Sequence, residues 1–297
     1  MPTTATVDRR HWEAADWRAH ARTIILNGRR LRFLDVGAGP PLLLIHGLGG
    51  SWHSWLENLP ALAARYRVIA VDLPGFGGSD QIRGASSLPS HARTISELLV
   101  LLQIVKVSVL AHSMGGLVAI RLATERPELV RRLVLVNAGG VPISAFRLAL
   151  IGYGFKAAKS LIGHPLILGQ IARSGHLRRA AMWLFLHDAS SLSPRMAAEI
   201  LPRMAAPGLA GAVGAASREV GRVDPSEVRC PVLVVWGAND RLLPLVLAET
   251  LVEALPSGEL AVIEDAGHCP MIEVPEEFDR VALAFLDRRR LRSVPKS

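Results

Sequence analysis

The chain has 297 residues, half of them hydrophobic, and a formal charge of +8. That is enough for one large α/β domain carrying an insertion, and too apolar for a disordered or collagen-like chain. Its two cysteines, Cys230 and Cys269, are too few for a disulfide framework and have no paired metal-ligand spacing, so they point to a reducing compartment and to no metal.

The basic side chains are interleaved with acids. Their densest cluster, Arg288, Arg289, Arg290 and Arg292 at the end of the last expected helix, complements a helix dipole. This reads as a solvated basic face, not a nucleic-acid surface. Residues 1–22 read as an N-terminal extension whose charges and tryptophans leave no apolar core, unlike a signal or transit peptide. No window has the length of an uncharged membrane span, so a cytoplasmic protein without stable membrane insertion is expected.

In chain order, Thr23 to Val36 reads as two strands joined by Asn27-Gly28, a dipeptide that accepts the positive φ of a tight hairpin. Short apolar strands then alternate with helices: Pro41 to His46, then Trp52 to Ala64; Arg67 to Leu73, then His91 to Gln103; Lys106 to His112, then Met114 to Arg126; and Arg131 to Asn137. Continuous Val/Ile/Leu runs between helices indicate a mostly parallel sheet covered on both faces. From 141 to 228 no β-branched run occurs, which marks a helical insertion with a Gly/Ala-rich, flexible stretch at Gly208 to Gly214. The alternation resumes with Pro231 to Trp236, Leu243 to Leu255, Glu259 to Glu264 and a final helix from Pro275 to Arg289. The core is thus expected at 23–140 and 229–297.

The chemistry-bearing residues follow strand ends, where open parallel sheets bind ligands. Ala111-His112-Ser113-Met114-Gly115 reads as a strand turning sharply into a helix, with Ser113 exposed on the bend and small neighbours allowing the strained turn. A serine hydroxyl held in this way and offered to a base becomes a usable nucleophile. The Met114 amide, at the helix start, can face a developing oxyanion. His46-Gly47-Leu48-Gly49-Gly50 frees backbone amides, with Leu48 N–H as the second oxyanion donor, and His46 reads as structural. Asp240 follows the strand ending at Trp236, where a carboxylate can orient an imidazole. Of ten histidines, His268 alone sits just past a late strand. Asp265 is too near His268 along the chain to hold it well. Gly47, His112 and Trp183 are the candidate substrate contacts.

These motifs resemble the α/β-hydrolase superfamily over nearly the whole chain: H-G-x-G at His46 to Gly49, the elbow at Ala111 to Gly115, the acid at Asp240 and the base at His268, in the family's order. Asp72 to Ser79 is similar to its strand-four turn and is taken as structural. The resemblance implies an eight-stranded sheet, a helical cap (lid) at 141–228 inserted after strand six, and a Ser-His-Asp triad of Ser113, His268 and Asp240. Some relatives carry the acid after strand six, where this chain has Asn137, which cannot serve. Epoxide hydrolases and haloalkane dehalogenases of this fold use an aspartate nucleophile, so Ser113 implies acyl chemistry instead.

The expected activity is that of a carboxylesterase or lipase acting on a small to medium uncharged ester, with Phe146, Leu148, Leu150, Ile151, Tyr153, Phe155, Met182, Trp183, Leu184 and Phe185 as apolar lid surface. The chemistry asks for no cofactor and no metal. Partners beyond a small-molecule ester are not implied, and a monomer or homodimer is expected. Alternatives are a carbon-carbon hydrolase of the meta-cleavage type, acyl transfer to an alcohol, and a non-catalytic small-molecule receptor of the same fold. Relatives of the meta-cleavage type usually have Asn where His112 stands and Trp where Cys269 stands.

Overall fold

The computed structural model describes residues 11–82, 86–143, 152–154, 165–219 and 221–288. Eight strands form one sheet: β1 (Ala21–Leu26), β2 (Arg29–Val36), β3 (Pro41–Ile45), β4 (Arg67–Val71), β5 (Val107–His112), β6 (Val130–Val136), β7 (Val232–Gly237) and β8 (Gly258–Ile263), in the spatial order β1-β2-β4-β3-β5-β6-β7-β8. β2 runs antiparallel to both its neighbours and every other pairing is parallel. The expected hairpin turn is present, with Asn27 at φ +52° and Gly28 at φ +72°. β1 begins at Ala21, so the sheet takes in the last two residues of the expected extension.

The described helices are α1 (Leu59–Ala63), α2 (Leu88–Leu101), α3 (Met114–Glu125), α4 (Pro165–Arg173), α5 (Gly175–Met182), α6 (Pro194–Ile200), α7 (Leu209–Glu219), α8 (Val246–Ala254), α9 (Pro270–Glu273) and α10 (Pro275–Leu286). Because strand side chains alternate, Leu43, Ile45, Val109 and Ala111 pack into one apolar layer with α2, α3 and α8, while Leu42, Leu44 and Leu110 pack into the other with α1 and α10. Helices therefore cover both faces, as the unbroken apolar strands require. Among the described residues no helix is long and apolar enough to cross a membrane.

Three local expectations differ from the structure. The single helix over 52–64 is a 3-10 turn at Trp52–Trp55 followed by α1, because Ser51 caps the first piece and Pro60 opens the second. α2 starts earlier than His91: Ser87 and Ser90 form a reciprocal capping box around Pro89. The stretch Gly208 to Gly214 is not flexible coil but leads into α7, and Gly208 N–H donates to Gly75 C=O at 2.9 Å. A Cβ on Gly208 would lie 2.8 Å from that oxygen, so glycine here serves a backbone-to-backbone contact between the 165–219 helices and the core. Between β6 and β7 the described residues are helical or irregular, with no strand. Arg289, Arg290 and Arg292 lie outside the described residues.

Candidate active site

Ser113 stands between β5 and α3 at φ +53°, ψ −121°, a conformation that costs a non-glycine residue energy. Its N–H donates to Val136 C=O at 3.0 Å, and its C=O accepts the Gly116 and Gly139 amides at 2.9 and 3.2 Å. The turn closes only because its neighbours are small. A Cβ on Gly115 would lie 2.5 Å from His46 C=O, and one on Gly47 would lie 2.9 Å from the Ser113 Cβ.

The three side chains that follow β5, β7 and β8 meet above the sheet. His268 Nε2 lies 3.0 Å from Ser113 Oγ, and Nδ1 lies 2.7 Å from Asp240 Oδ2. Nδ1–H donating to the carboxylate leaves Nε2 as acceptor of the serine proton, the arrangement a general base needs. Asp240 Oδ1 accepts the Leu242 and Leu243 amides at 2.8 and 2.9 Å. Burial pushes the Asp240 carboxyl up, but the His268 ring, the Leu243 amide and Asn137 more than offset that, and its pKa lies below the ordinary value. Asp265 is exposed.

Asn137 has a part that its local sequence does not announce. At φ +41° it directly follows β6 and donates Nδ2–H to Asp240 Oδ2 at 2.7 Å and to Gly267 C=O at 3.3 Å, while its Oδ1 accepts the Gly237 amide at 3.2 Å. The residue that lacks a carboxylate thus braces the carboxylate of Asp240. The usable signal was its position at the carboxyl end of the strand beside β7.

The loop after β3 is held from below. His46 donates Nδ1–H to Gly47 C=O at 2.7 Å and accepts Leu73 N–H on Nε2 at 3.0 Å; burial lowers its pKa to about 4, so it is a neutral strut. Asp72 accepts the Trp52 and Gly78 amides, both at 2.8 Å, tying that loop to the turn after β4. The Leu48 and Met114 amides donate to no acceptor among the described residues. His112 donates Nε2–H to the His268 C=O at 2.9 Å, with the two rings 4.8 Å apart.

A cavity of about 60 Å³ opens at Ser113, bounded on the core side by Gly47, Leu48, His112, Met271 and Ile272, and on the other by Met182, Phe185, Ile200 and Met204. Ser51 and Ser54 are the other hydroxyls on its wall. Gly47 and His112 therefore border the cavity, whereas Trp183 does not: α5 ends at Met182, and Trp183 is 59 % exposed, with the Arg241 guanidinium 5.1 Å from its ring. Tyr153 is also exposed and Leu184 half-buried; Phe146, Leu148, Leu150, Ile151 and Phe155 lie outside the described residues.

Residues 42–281 match the Alpha/beta hydrolase family. The chain belongs to the α/β-hydrolase family. This hydrolase is 34 % identical over 277 residues to an uncharacterized protein of Mycobacterium tuberculosis (strain ATCC 25618 / H37Rv), covering 88 % of this chain and 80 % of that one. It is 31 % identical over 270 residues to the 2-hydroxy-6-oxononadienedioate/2-hydroxy-6-oxononatrienedioate hydrolase 2 of Pseudomonas putida, covering 86 % and 91 %. Among solved structures, the α/β-hydrolase is similar to a meta-cleavage product hydrolase from Pseudomonas fluorescens IP01, with a TM-score of 0.72, 26 % identity and coverage of 89 % and 97 %.

Proposed function

We propose that this α/β-hydrolase cleaves small, uncharged carboxylic esters through an acyl-enzyme on Ser113. One observation carries the reading: the hydrogen-bonded series Ser113, His268, Asp240 opens on a cavity with no Lys, Arg, Asp or Glu among its described lining residues. Ser113 Oγ attacks the ester carbonyl while His268 Nε2 takes its proton. The tetrahedral oxyanion faces the Leu48 and Met114 amides, each worth about 3 kcal/mol to a barrier of this kind. His268 returns the proton to the departing alkoxide. Water, deprotonated by the same imidazole, attacks the acyl-enzyme, and the acid is released with Ser113 reprotonated. At roughly 10–15 Å³ per water by the same measure, the cavity holds a few waters' worth of substrate, the size of a short acyl chain. The described helices between β6 and β7 act as the cap, and the buried, unpaired Cys230 and Cys269 suit a cytoplasmic setting.

Carbon-carbon hydrolysis is the second reading, favoured by the likeness to the Pseudomonas putida hydrolase. That relative's name gives a dicarboxylate substrate, and the described cavity wall here offers no cation to pair with a second carboxylate. The deciding experiment is turnover of p-nitrophenyl esters of increasing acyl length beside a vinylogous 1,5-diketone ring-fission product, with Ser113→Ala as control. Short esters cleaved by the wild type and not by the variant uphold the ester reading. Cleavage of the diketone alone replaces it with the second reading, and folded protein inert to both is a receptor.

A further inference from the structure

Glu273 ends α9, is 8 % exposed and touches nothing in the cavity, yet its two oxygens reach into different segments. Oε1 accepts the Gly267 amide at 2.8 Å, one residue before the base. Oε2 accepts the His187 amide at 2.6 Å and the Asp188 amide at 3.3 Å, in the turn after α5. His268 N–H closes the circuit by donating to Phe185 C=O at 2.9 Å. The two segments are in backbone contact: a Cβ on Gly267 would lie 2.6 Å from His187 N. Phe185 borders the cavity, and its ring centroid is 6.5 Å from that of His268.

We propose that Glu273 is a positioning residue: its carboxylate locks the peptide of the base His268 to the turn of the insertion that walls the substrate cavity, so that base and wall are set as one unit. The proposal rests on the reading of Ser113 and His268 as nucleophile and base. A carboxylate suits the task because it accepts on both oxygens and donates on neither. Glutamine in its place turns one oxygen into an NH2 facing an amide N–H, and either the base loop or the turn is released. The His268 Nε2 to Ser113 Oγ contact, 3.0 Å in the structure, then loses one of its restraints, and proton transfer is sensitive to displacements of that scale.

The experiment is the labelling rate of Ser113 in the full chain by a methyl- and by an octyl-fluorophosphonate, comparing wild type with Glu273→Gln at a temperature where both are folded. A residue that positions the base slows both probes by the same factor, on the order of tenfold or more. Slowing of the octyl probe alone assigns Glu273 to pocket shape and overturns the proposal, as does labelling of both at the wild-type rate. An unlabelled wild type overturns the serine-hydrolase reading and this one with it; a labelled wild type with an unslowed variant overturns this one alone. Should Glu273→Gln not fold, amide hydrogen exchange on the wild type decides. Gly267, His268 and His187 opening at one common rate supports a single unit, and different rates overturn it.

Discussion

Replacing Asp240 by asparagine tests the assignment of the acid at atomic resolution. Asp240 receives four hydrogen bonds, two on each oxygen: Leu242 and Leu243 amides on Oδ1, His268 Nδ1–H and Asn137 Nδ2–H on Oδ2. In Asp240→Asn the carbonyl oxygen must stay on the two amides, because an NH2 there would oppose both. The new NH2 therefore occupies the Oδ2 place, where it meets two further donors. The imidazole relieves this clash by moving its proton to Nε2, and an Nε2–H aimed at Ser113 Oγ cannot take the serine proton. The expected loss in kcat on short p-nitrophenyl esters is on the order of 10⁴-fold, as for a wrong tautomer in other triads, or about 5 kcal/mol of barrier. Asp265→Asn, at an exposed side chain, should turn over like the wild type. Near-wild-type kcat in folded Asp240→Asn, or a matching loss in Asp265→Asn, would refute the reasoning.

Two further substitutions probe the surroundings. Asn137→Gly keeps the φ of +41° while deleting the donor to Asp240; one hydrogen bond to a charged group is worth about 1.5–3 kcal/mol, so kcat should fall roughly 10- to 100-fold, and an unchanged kcat would remove Asn137 from the acid's support. Burial raises the Asp279 pKa to about 8, above its unfolded value, against the Asn58 hydrogen bond at 3.0 Å. Stability from a raised carboxyl is complete below the unfolded pKa and is lost as pH rises towards the folded one. Asp279→Asn should therefore raise Tm at pH 9 relative to wild type, by about 1.5 °C for each kcal/mol recovered, and much less at pH 4; an equal shift at both would show the carboxyl is not the cause.

Ser113, Asp240 and His268 could be read together because they lie one, three and five residues past the ends of β5, β7 and β8, so a local pattern places each at the same end of the sheet. The central strands β3 to β7 were legible for a similar reason, their side chains being mostly apolar on both faces, whereas β1 and β2 were marked by the Asn27-Gly28 turn between them. What escaped acts through contacts no local window contains. Glu273 accepts the amide of His187, 86 residues earlier in the chain, and amides have no side-chain signature. Trp183 looked like a pocket residue by its apolar bulk, but α5 stops one residue before it, and helical spacing no longer says which way the chain faces. Gly208 to Gly214 looked loose by composition, and tertiary contact with Gly75 makes it orderly instead.

Why His268 and not one of the neighbouring imidazoles is proposed as the base follows from what each nitrogen already does. Burial pushes the pKa of His46 to about 4 and of His112 to about 3, so both stay neutral wherever the protein is folded at ordinary pH. Each also spends its ring on the backbone: His46 on the Gly47 carbonyl and the Leu73 amide, His112 on the carbonyl of His268 itself. Among these three rings, only that of His268 has a carboxylate at one nitrogen and the serine hydroxyl at the other, so a proton arriving from Ser113 meets its countercharge without any rearrangement. Of the other two rings, that of His112 holds the His268 peptide and that of His46 holds the loop after β3. Its backbone is held by the elbow through His112, by the insertion through Phe185 and, one residue before it, by Asn137 and Glu273. Four segments thus converge on one loop, and the spacing of His268 from Ser113 and Asp240 is set by the whole sheet end and not by those three side chains alone.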